Sequence, residues 1–246
     1  MTDITAPTTA PPTASSTTGT AGALGVKVWD LPLRLFHWLL AGTILLAFIS
    51  AEEGSGLSQW HVASGWIAAI LIGFRLLWGI IGGEHARFAN FIKPGKLAQH
   101  VSGLLRGRVE PSLGHNPLGG MATLVLLAAV ASVVWTGTAL LGGGDRGEEL
   151  HEGIANGLLV LIGLHIAGVI IMSRLSRDNL VKAMMTGRKA RERHPDAADA
   201  VPAPGLAIPV AALAIVAGTY GAMQADPQAF TPTEHAEAGH GDSDED

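Results

Sequence analysis

LHEGIANGLLVLIGLHIAGVIIMSR, residues 150–174, is apolar and long enough to cross a bilayer as a single helix. It carries two histidines, His151 near its start and His165 beyond its middle. In an α-helix the interval between them, roughly 14 residues, returns to within about 40° of the same face and spans roughly 21 Å along the axis. Two imidazoles therefore share one face at two depths of a hydrocarbon core. Because histidine inside a membrane is uncommon and usually functional, each is expected to have a partner elsewhere in the chain.

The composition of the whole chain excludes an ordinary soluble domain. Hydrophobic residues make up 48% and charged residues 15% of the 246 residues, and the mean hydropathy is +0.34. Several nearly uncharged runs exceed the length needed to span a bilayer and lack the alternation of a strand, which predicts membrane-spanning helices. The chain has no cysteine, so disulfides, thiolate-held iron–sulfur clusters and haem attached through C-x-x-C-H are excluded.

Three further runs are long enough to complete a four-helix bundle, and a fifth follows it. The first run, residues 26–51, contains His37, and the second, residues 60–83, begins with His61. The third, residues 118–141, has neither a histidine nor a charge. We therefore predict an all-α integral membrane protein made of a disordered tail (1–25), a four-helix transmembrane domain (26–190), a fifth transmembrane helix (204–223) and an acidic disordered tail (224–246).

The distribution of Lys and Arg predicts the orientation of the bundle. Of the 16 basic residues, Arg75 lies within a predicted span and Arg146 alone falls in a connection on the acidic side. All the others lie on the opposite side. Since cytoplasmic connections are rich in Lys and Arg, that side is expected to be cytoplasmic. The N-terminus is then on the cytoplasmic side, and the turns near Glu52 and Asp145 are outside.

The four intramembrane histidines fall into two pairs by depth. With this orientation His37 and His165 lie in the inner leaflet, and His61 and His151 lie in the outer leaflet. Two pairs of imidazoles, each taken from two helices, suit two non-covalent b-type haems, each bound through both axial positions of its iron. Chance histidines at helix ends are the alternative. One tetrahedral zinc ion cannot join two such levels, and Ala155 stands where an H-E-x-x-H motif needs its second histidine.

A single intramembrane charge lies near the inner pair. Arg75 follows His61 at the same interval that separates His151 from His165, so it shares nearly the same helix face at the depth of the inner pair. No Asp or Glu lies in the middle of a predicted span, so a haem propionate is the expected counter-ion. The alternative is an arginine that snorkels to the cytoplasmic surface.

Glycines and the remaining histidines give weaker indications. Some glycines near the histidines would let a porphyrin approach, although helix packing explains them equally well: Gly65, Gly153, Gly157 and Gly168. The histidines of the basic connections are expected on the surface: His85, His100, His115 and His194. Among them, His115 stands just before the third span and could also contact a propionate or a quinone. Trp29 and Trp38 are suitable anchors at the membrane interface.

Several motifs recur together in a known family. They are PLRLFHW at 32–38, WHVASG at 60–65, FRLLWG at 74–79, GHNPLG at 114–119, and the LHE and LH segments at 150–165. Over residues 26–190 the chain resembles the bacterial cytochrome b561 family, which includes the b-type cytochrome subunits of nickel–iron hydrogenases. The resemblance implies four membrane helices with two b haems, ligated at His37, His61, His151 and His165. It also implies electron transfer between a periplasmic redox partner and the quinone pool.

Three functions are compatible with these observations. The first is a respiratory electron-transfer subunit that connects an extracytoplasmic partner, a hydrogenase or c-type cytochrome, with membrane quinone. The second is an enzyme that oxidises or reduces a small molecule such as superoxide against quinone. The third is a membrane anchor in which the histidines bind no haem. We expect the first, with no catalytic residue of its own and no nucleic-acid partner.

Overall fold

The computed structural model describes residues 25–52, 56–92, 94–107, 112–141 and 147–231. Some predicted features lie outside the described residues: nearly all of the N-terminal tail, the acidic turn at residues 142–146, and the acidic tail beyond residue 231. The elements in chain order are β1 (Val26–Lys27), α1 (Leu31–Ala51), a 3₁₀ turn (Ser58–Trp60), α2 (His61–Ile81), α3 (Phe88–Phe91), α4 (Pro94–Leu105), α5 (Pro117–Leu140), α6 (Glu148–Ser176), α7 (Leu180–Thr186), β2 (Arg188–Lys189), a second 3₁₀ turn (Arg191–Arg193) and α8 (Ala207–Ala225).

Among the described residues, five helices are long and apolar enough to cross a membrane. They are α1, α2, α5, α6 and α8, which confirms the predicted helical membrane fold. Capping residues start two of them. The Asp30 carboxylate accepts a hydrogen bond from the Leu33 backbone N–H at 2.9 Å, and the Asn116 side chain accepts one from the Gly119 N–H at 2.6 Å. A proline in the first turn of each helix needs no such partner.

Three of the spans pack against α2, and α6 packs against α5. Helix α1 forms a hairpin with α2, and α5 forms one with α6, while α2 also contacts α5 and α8. Helix α2 buries eight of its residues, whereas α6 buries Leu158 alone. Helix α6 packs along α5 and does not pack closely along α1 or α2 in the described part of the chain. The histidine-bearing helix is therefore joined to the bundle mainly through α5.

The two ends of the bundle differ in charge and in structure. The end at which α1, α5 and α8 begin carries most of the basic residues and is called the basic end here; the opposite end is called the far end. Backbone pairing closes the basic end, where β1 runs antiparallel to β2 with Val26 opposite Lys189 and Lys27 opposite Arg188. The amphipathic α4 lies in the basic connection that follows α2 and packs against α5.

A buried ionic cluster stabilises the basic end. The Asp178 carboxylate lies 2.8 Å from His194 Nε2 and 3.5 Å from Lys189 Nζ, and all three side chains are buried. Lys189 also donates to the Ser112 carbonyl at 2.7 Å. Burial lowers the pKa of Lys189, and the Asp178 carboxylate partly offsets that effect. The expectation that His194 is a surface residue is wrong, because this cluster encloses it.

Hydrogen bonds hold α1 and α2 together at both ends. At the basic end the Asp30 carboxylate accepts from the indole N–H of Trp78 and from the backbone N–H of Gly83, each at 3.1 Å. At the far end the Ala47 carbonyl lies 3.0 Å from His61 Nδ1. Hydrogen bonds at both ends therefore fix the offset between the two helices along their axes.

The fifth helix is also fixed to α2 at both ends. It begins three residues later and ends two residues later than predicted. The Trp66 indole donates to Asp226 at 3.0 Å at the far end, and at the basic end the Glu84 carboxylate accepts from the Val201 N–H at 2.9 Å. Helix α8 is therefore an integral member of the bundle.

Candidate functional site

The inward face of α6 carries the two histidines of the opening motif. His151 and His165 are half-buried, and Leu158, midway between them, is buried. The intervening residues on the opposite face are exposed, including Leu159, Val160 and Leu164. Since two helical turns return to nearly the same side of a helix, the two imidazoles lie on one face at two levels.

The upper level, near the far end, brings together histidines from α2 and α6. The ring centres of His61 and His151 are 6.1 Å apart, and the ring planes are at 84° to each other. Metal–imidazole bonds are about 2 Å long and the ring centre lies about 1 Å beyond the nitrogen, so two imidazoles on opposite sides of one metal ion have centres about 6 Å apart. The observed pair therefore fits two axial ligands of a single ion.

Hydrogen bonding fixes the tautomer of both rings. His61 Nδ1 donates to the Ala47 carbonyl at 3.0 Å, since a carbonyl can only accept. His151 Nδ1 lies 3.0 Å from the Thr136 hydroxyl, which itself donates to a backbone carbonyl of α5. When Nδ1 carries the proton, Nε2 keeps the lone pair that binds a metal. Both rings are thus held in the form that a metal requires.

Helix α5 contributes more to this level than its sequence indicates. Thr136 is buried beside His151, and a Cβ at Gly137 would lie only 3.1 Å from His151 Cε1. The third span has no histidine and no charge, so it was not expected to take part in the site. The one available signal was the Thr-Gly-Thr segment at 136–138 within an otherwise apolar run.

The lower level, near the basic end, holds His37 of α1 and His165 of α6. The two side chains interact electrostatically, and within the described residues their rings make no contact like that of His61 and His151. The Nδ1 atom of His37 is buried without a hydrogen-bond partner, and its ring stands edge-on to Trp38 at 5.0 Å. Both Nδ1 atoms of the upper level have hydrogen-bond partners, whereas His37 Nδ1 at this level has none.

Arg75 lies at the basic end and is almost completely buried, with 1% of its surface exposed. Its Nη1 donates to the Ala86 carbonyl at 3.2 Å, and its guanidinium lies 4.6 Å from the centre of the Phe88 ring. The Nη2 atom is buried and has no partner. Within the described residues Arg75 has no ion pair, although the charge of Asp30, which was not considered as a counter-ion, acts on it. The snorkelling alternative is thus disfavoured.

The described residues contain no group of three or more His, Asp or Glu side chains placed to hold a metal ion. The glycines noted in the sequence lie in open positions. A Cβ at Gly65, Gly153, Gly157 or Gly168 would have no protein atom within 4 Å. Close packing between the described helices therefore does not explain them.

A known protein family matches most of this chain. Residues 28–187, more than half of the chain and all four histidine-bearing positions included, match the family model described as prokaryotic cytochrome b561. The chain belongs to the prokaryotic cytochrome b561 family. As a family member with five apolar helices it is a multi-pass membrane protein, and the b-type cytochrome family implies haem b as the cofactor. The family match ends before α8.

Individual relatives are distant but extensive in coverage. A "Probable Ni/Fe-hydrogenase B-type cytochrome subunit" of Azotobacter vinelandii is 28% identical over 222 residues, which cover 70% of this chain and 91% of the relative. A protein with the same description from Bradyrhizobium diazoefficiens is 25% identical over 212 residues, covering 67% and 85%. No solved structure gives a significant match.

Proposed function

We propose that this cytochrome b561 family member is a di-haem electron carrier of a respiratory chain. It connects an extracytoplasmic redox partner, a hydrogenase or a c-type cytochrome, with the quinone pool of the bacterial plasma membrane. The observation that carries the proposal is the His61–His151 pair, whose rings lie 6.1 Å apart with both Nδ1 atoms held by the protein. The hydrogenase partner is favoured by the description of the relatives.

Four histidines hold the two cofactors in this proposal. His61 and His151 bind the iron of the outer haem, and His37 and His165 bind the iron of the inner haem. Held there by two imidazoles, haem b would supply one-electron transfer. The protein's part is to orient the imidazoles, to enclose the porphyrin in apolar surface and to balance its charge. Thr136 and the Ala47 carbonyl orient the outer pair, and Arg75 provides positive charge beside the inner pair.

The distribution of charge supports a cytoplasmic basic end. Cytoplasmic connections of membrane proteins are rich in Lys and Arg, and the basic end of this bundle holds the β1–β2 pair, α4 and α7 with their cationic side chains. The N-terminus is then cytoplasmic. The His61–His151 level is then the outer one, which is reached from the side of the extracytoplasmic partner.

Cofactor content tests the proposal directly. The purified protein should contain two haems per chain by the pyridine haemochrome assay and should show b-type bands on reduction with dithionite. His151→Ala should remove one haem and leave the other, and His165→Ala should do the same for the inner one. A protein that is fully loaded with haem in both variants would contradict the ligand assignment. A wild-type protein without haem would contradict the function.

The partner is tested separately. Affinity purification of the tagged, membrane-extracted protein should recover a hydrogenase or a c-type cytochrome, and reduction by that partner should be followed by oxidation with added quinone. Recovery of neither partner, together with haems that quinone does not oxidise, would contradict the proposed place in the chain.

A further inference from the structure

The segment GHNPLG, residues 114–119, is a motif that the four histidine ligands do not explain. Asn116 and Pro117 start α5, which accounts for two of its residues. His115 precedes them and belongs to neither level of ligands. It is half-buried, and its Nδ1 is shielded from solvent without a hydrogen-bond partner. An imidazole nitrogen that is desolvated and unpaired costs free energy unless a ligand satisfies it.

Two aromatic rings hold His115 in place. The Phe91 ring lies 4.5 Å from it at 39°, and the buried Trp29 ring lies 4.8 Å from it at 63°. Gly120 makes room for this arrangement, because a Cβ there would lie 2.7 Å from Phe91 Cδ2. The position of His115 is therefore fixed by packing rather than by hydrogen bonds. Such a side chain is already oriented for a ligand.

Arg75 shows the same lack of a partner. It is buried, its Nη2 has no hydrogen-bond partner, and it has no ion pair among the described residues. Leaving a buried guanidinium without an anion is expensive, since the charge has lost its hydration. The Arg75 guanidinium lies 4.6 Å from the centre of the Phe88 ring. The Phe88 ring packs against Phe91 at 5.8 Å, and Phe91 contacts His115. Arg75 and His115 therefore lie in one region at the basic end, where the charges of Arg75 and His165 both act on His115.

The protonation state of His115 suits a donor beside a cation. Burial, the positive charge of Arg75 and further basic neighbours lower the pKa of His115 to about 3. The imidazole is neutral at physiological pH and offers one N–H group without adding a second positive charge. Arg75 offers one unpaired nitrogen and the positive charge, and the neutral His115 imidazole offers a second donor. Together they provide two donors and a single positive charge.

We propose that Arg75 and His115 together bind one propionate carboxylate of the inner haem. The inference rests on the proposed function. A carboxylate has two oxygens for the two donors and one negative charge for the single guanidinium. The propionates are the anionic groups of a cofactor that is otherwise apolar, and His165, the proposed inner ligand, lies in the same region. The motif GHNPLG then joins a helix start to a contact with the cofactor.

Matched substitutions test the two donors. His115→Phe removes the N–H donor while keeping a ring between Trp29 and Phe91, and His115→Gln keeps an N–H donor. Arg75→Gln removes the charge, and Arg75→Lys keeps it. Arg106→Gln removes an exposed charge at the basic end and serves as the control. All variants are made in the full-length protein, solubilised in detergent and compared for haem content, midpoint potential and the propionate bands of the resonance Raman spectrum.

Arg75→Gln should make the inner haem harder to reduce, because a positive charge no longer stabilises the added electron. We expect about a tenfold change in the one-electron equilibrium, which corresponds to about 59 mV. His115→Phe should shift the propionate bands and lower the same potential to a smaller extent, and His115→Gln should restore both. The outer haem and the Arg106→Gln protein should be unchanged. The redox wave of the inner haem is identified as the one that is absent from the His165→Ala protein.

The outcomes separate this inference from the proposed function. If the wild-type protein holds two haems but His115→Phe leaves the inner potential and the propionate bands unchanged, the inference is wrong and the proposed function stands. If the Arg75→Gln protein does not accumulate, the His115→Phe and His115→Gln proteins test the inference by the same measurements. If the wild-type protein lacks the inner haem, both are wrong.

Discussion

Thr136→Val provides a sharp test of the outer site, because it removes the hydroxyl beside His151 with little change in shape. The Thr136 side chain is 6% exposed, and its hydroxyl lies 3.0 Å from His151 Nδ1. Valine has nearly the same shape but no hydroxyl. After the substitution the His151 ring loses its side-chain partner and keeps only a backbone interaction with Val133. Hydrogen bonding to a ligating imidazole raises its basicity, so its loss makes His151 a weaker ligand.

The size of the effect follows from the bond that is lost. Removing such a supporting hydrogen bond typically lowers metal affinity about 10- to 100-fold. A neutral hydrogen bond contributes roughly 0.5–1.5 kcal/mol. If the bond acts entirely on the oxidised state, its loss raises the one-electron potential by roughly 20–65 mV, because a tenfold change in that equilibrium is about 59 mV. The direction is upward, since a more basic ligand favours ferric iron.

Redox titration and haem content measure both quantities. The control is Thr138→Val on the same helix, whose hydroxyl bonds only the Trp135 carbonyl at 2.9 Å. We expect a rise of one midpoint potential and easier loss of one haem in Thr136→Val, with neither in Thr138→Val. Equal behaviour of the two valine variants would refute the inference that Thr136 orients an iron ligand.

Three other perturbations have defined outcomes. Gly137→Val should displace the His151 ring, since even a Cβ would lie 3.1 Å from its Cε1; a normal low-spin electron paramagnetic resonance signal for the outer haem would contradict this. Asp178→Asn should lower the free energy of unfolding by about 3 kcal/mol because it leaves a buried Lys189 unpaired, and thermal denaturation should show a much smaller loss for exposed Asp199→Asn. Between pH 6.5 and 3 the unfolded chain binds a proton at His115 that the folded chain does not, so the free energy of unfolding should fall with decreasing pH. The melting temperature of His115→Phe should fall less steeply with decreasing pH than that of the wild type. Equal slopes would contradict the burial of that ring.

The level of the outer pair could be predicted because it depends only on helix geometry. The spacing of the two histidines on α6 and the alternating chain direction are enough to place His61 beside His151, and the rings do lie side by side. The five apolar helices follow equally directly from their lengths. Both arguments use properties that each segment has by itself.

Contacts between distant segments could not be predicted in this way. Trp29 was expected at the membrane interface, but it is 7% exposed and packs against His85 and His115. His194 was expected on the surface, but it is buried against Asp178. The β1–β2 pair and the connection to α8 cover these groups. A polar segment shows no periodic pattern to indicate what it covers, so its partners become visible only in three dimensions.

The hydrogen bonds at the two ends of α1 and α2 fix the offset between these helices along their axes. One helix cannot slide past the other by a turn, roughly 5.4 Å, without breaking the Asp30 bonds to Trp78 and Gly83 at one end and the Ala47 bond to His61 at the other. His37 and His61 sit on the two helices that these hydrogen bonds join, so their vertical separation is locked by contacts that lie outside the ligand set. Because tunnelling rates fall exponentially with distance, such a register would, in the proposed function, keep the rate between the two levels insensitive to the thickness of the surrounding bilayer.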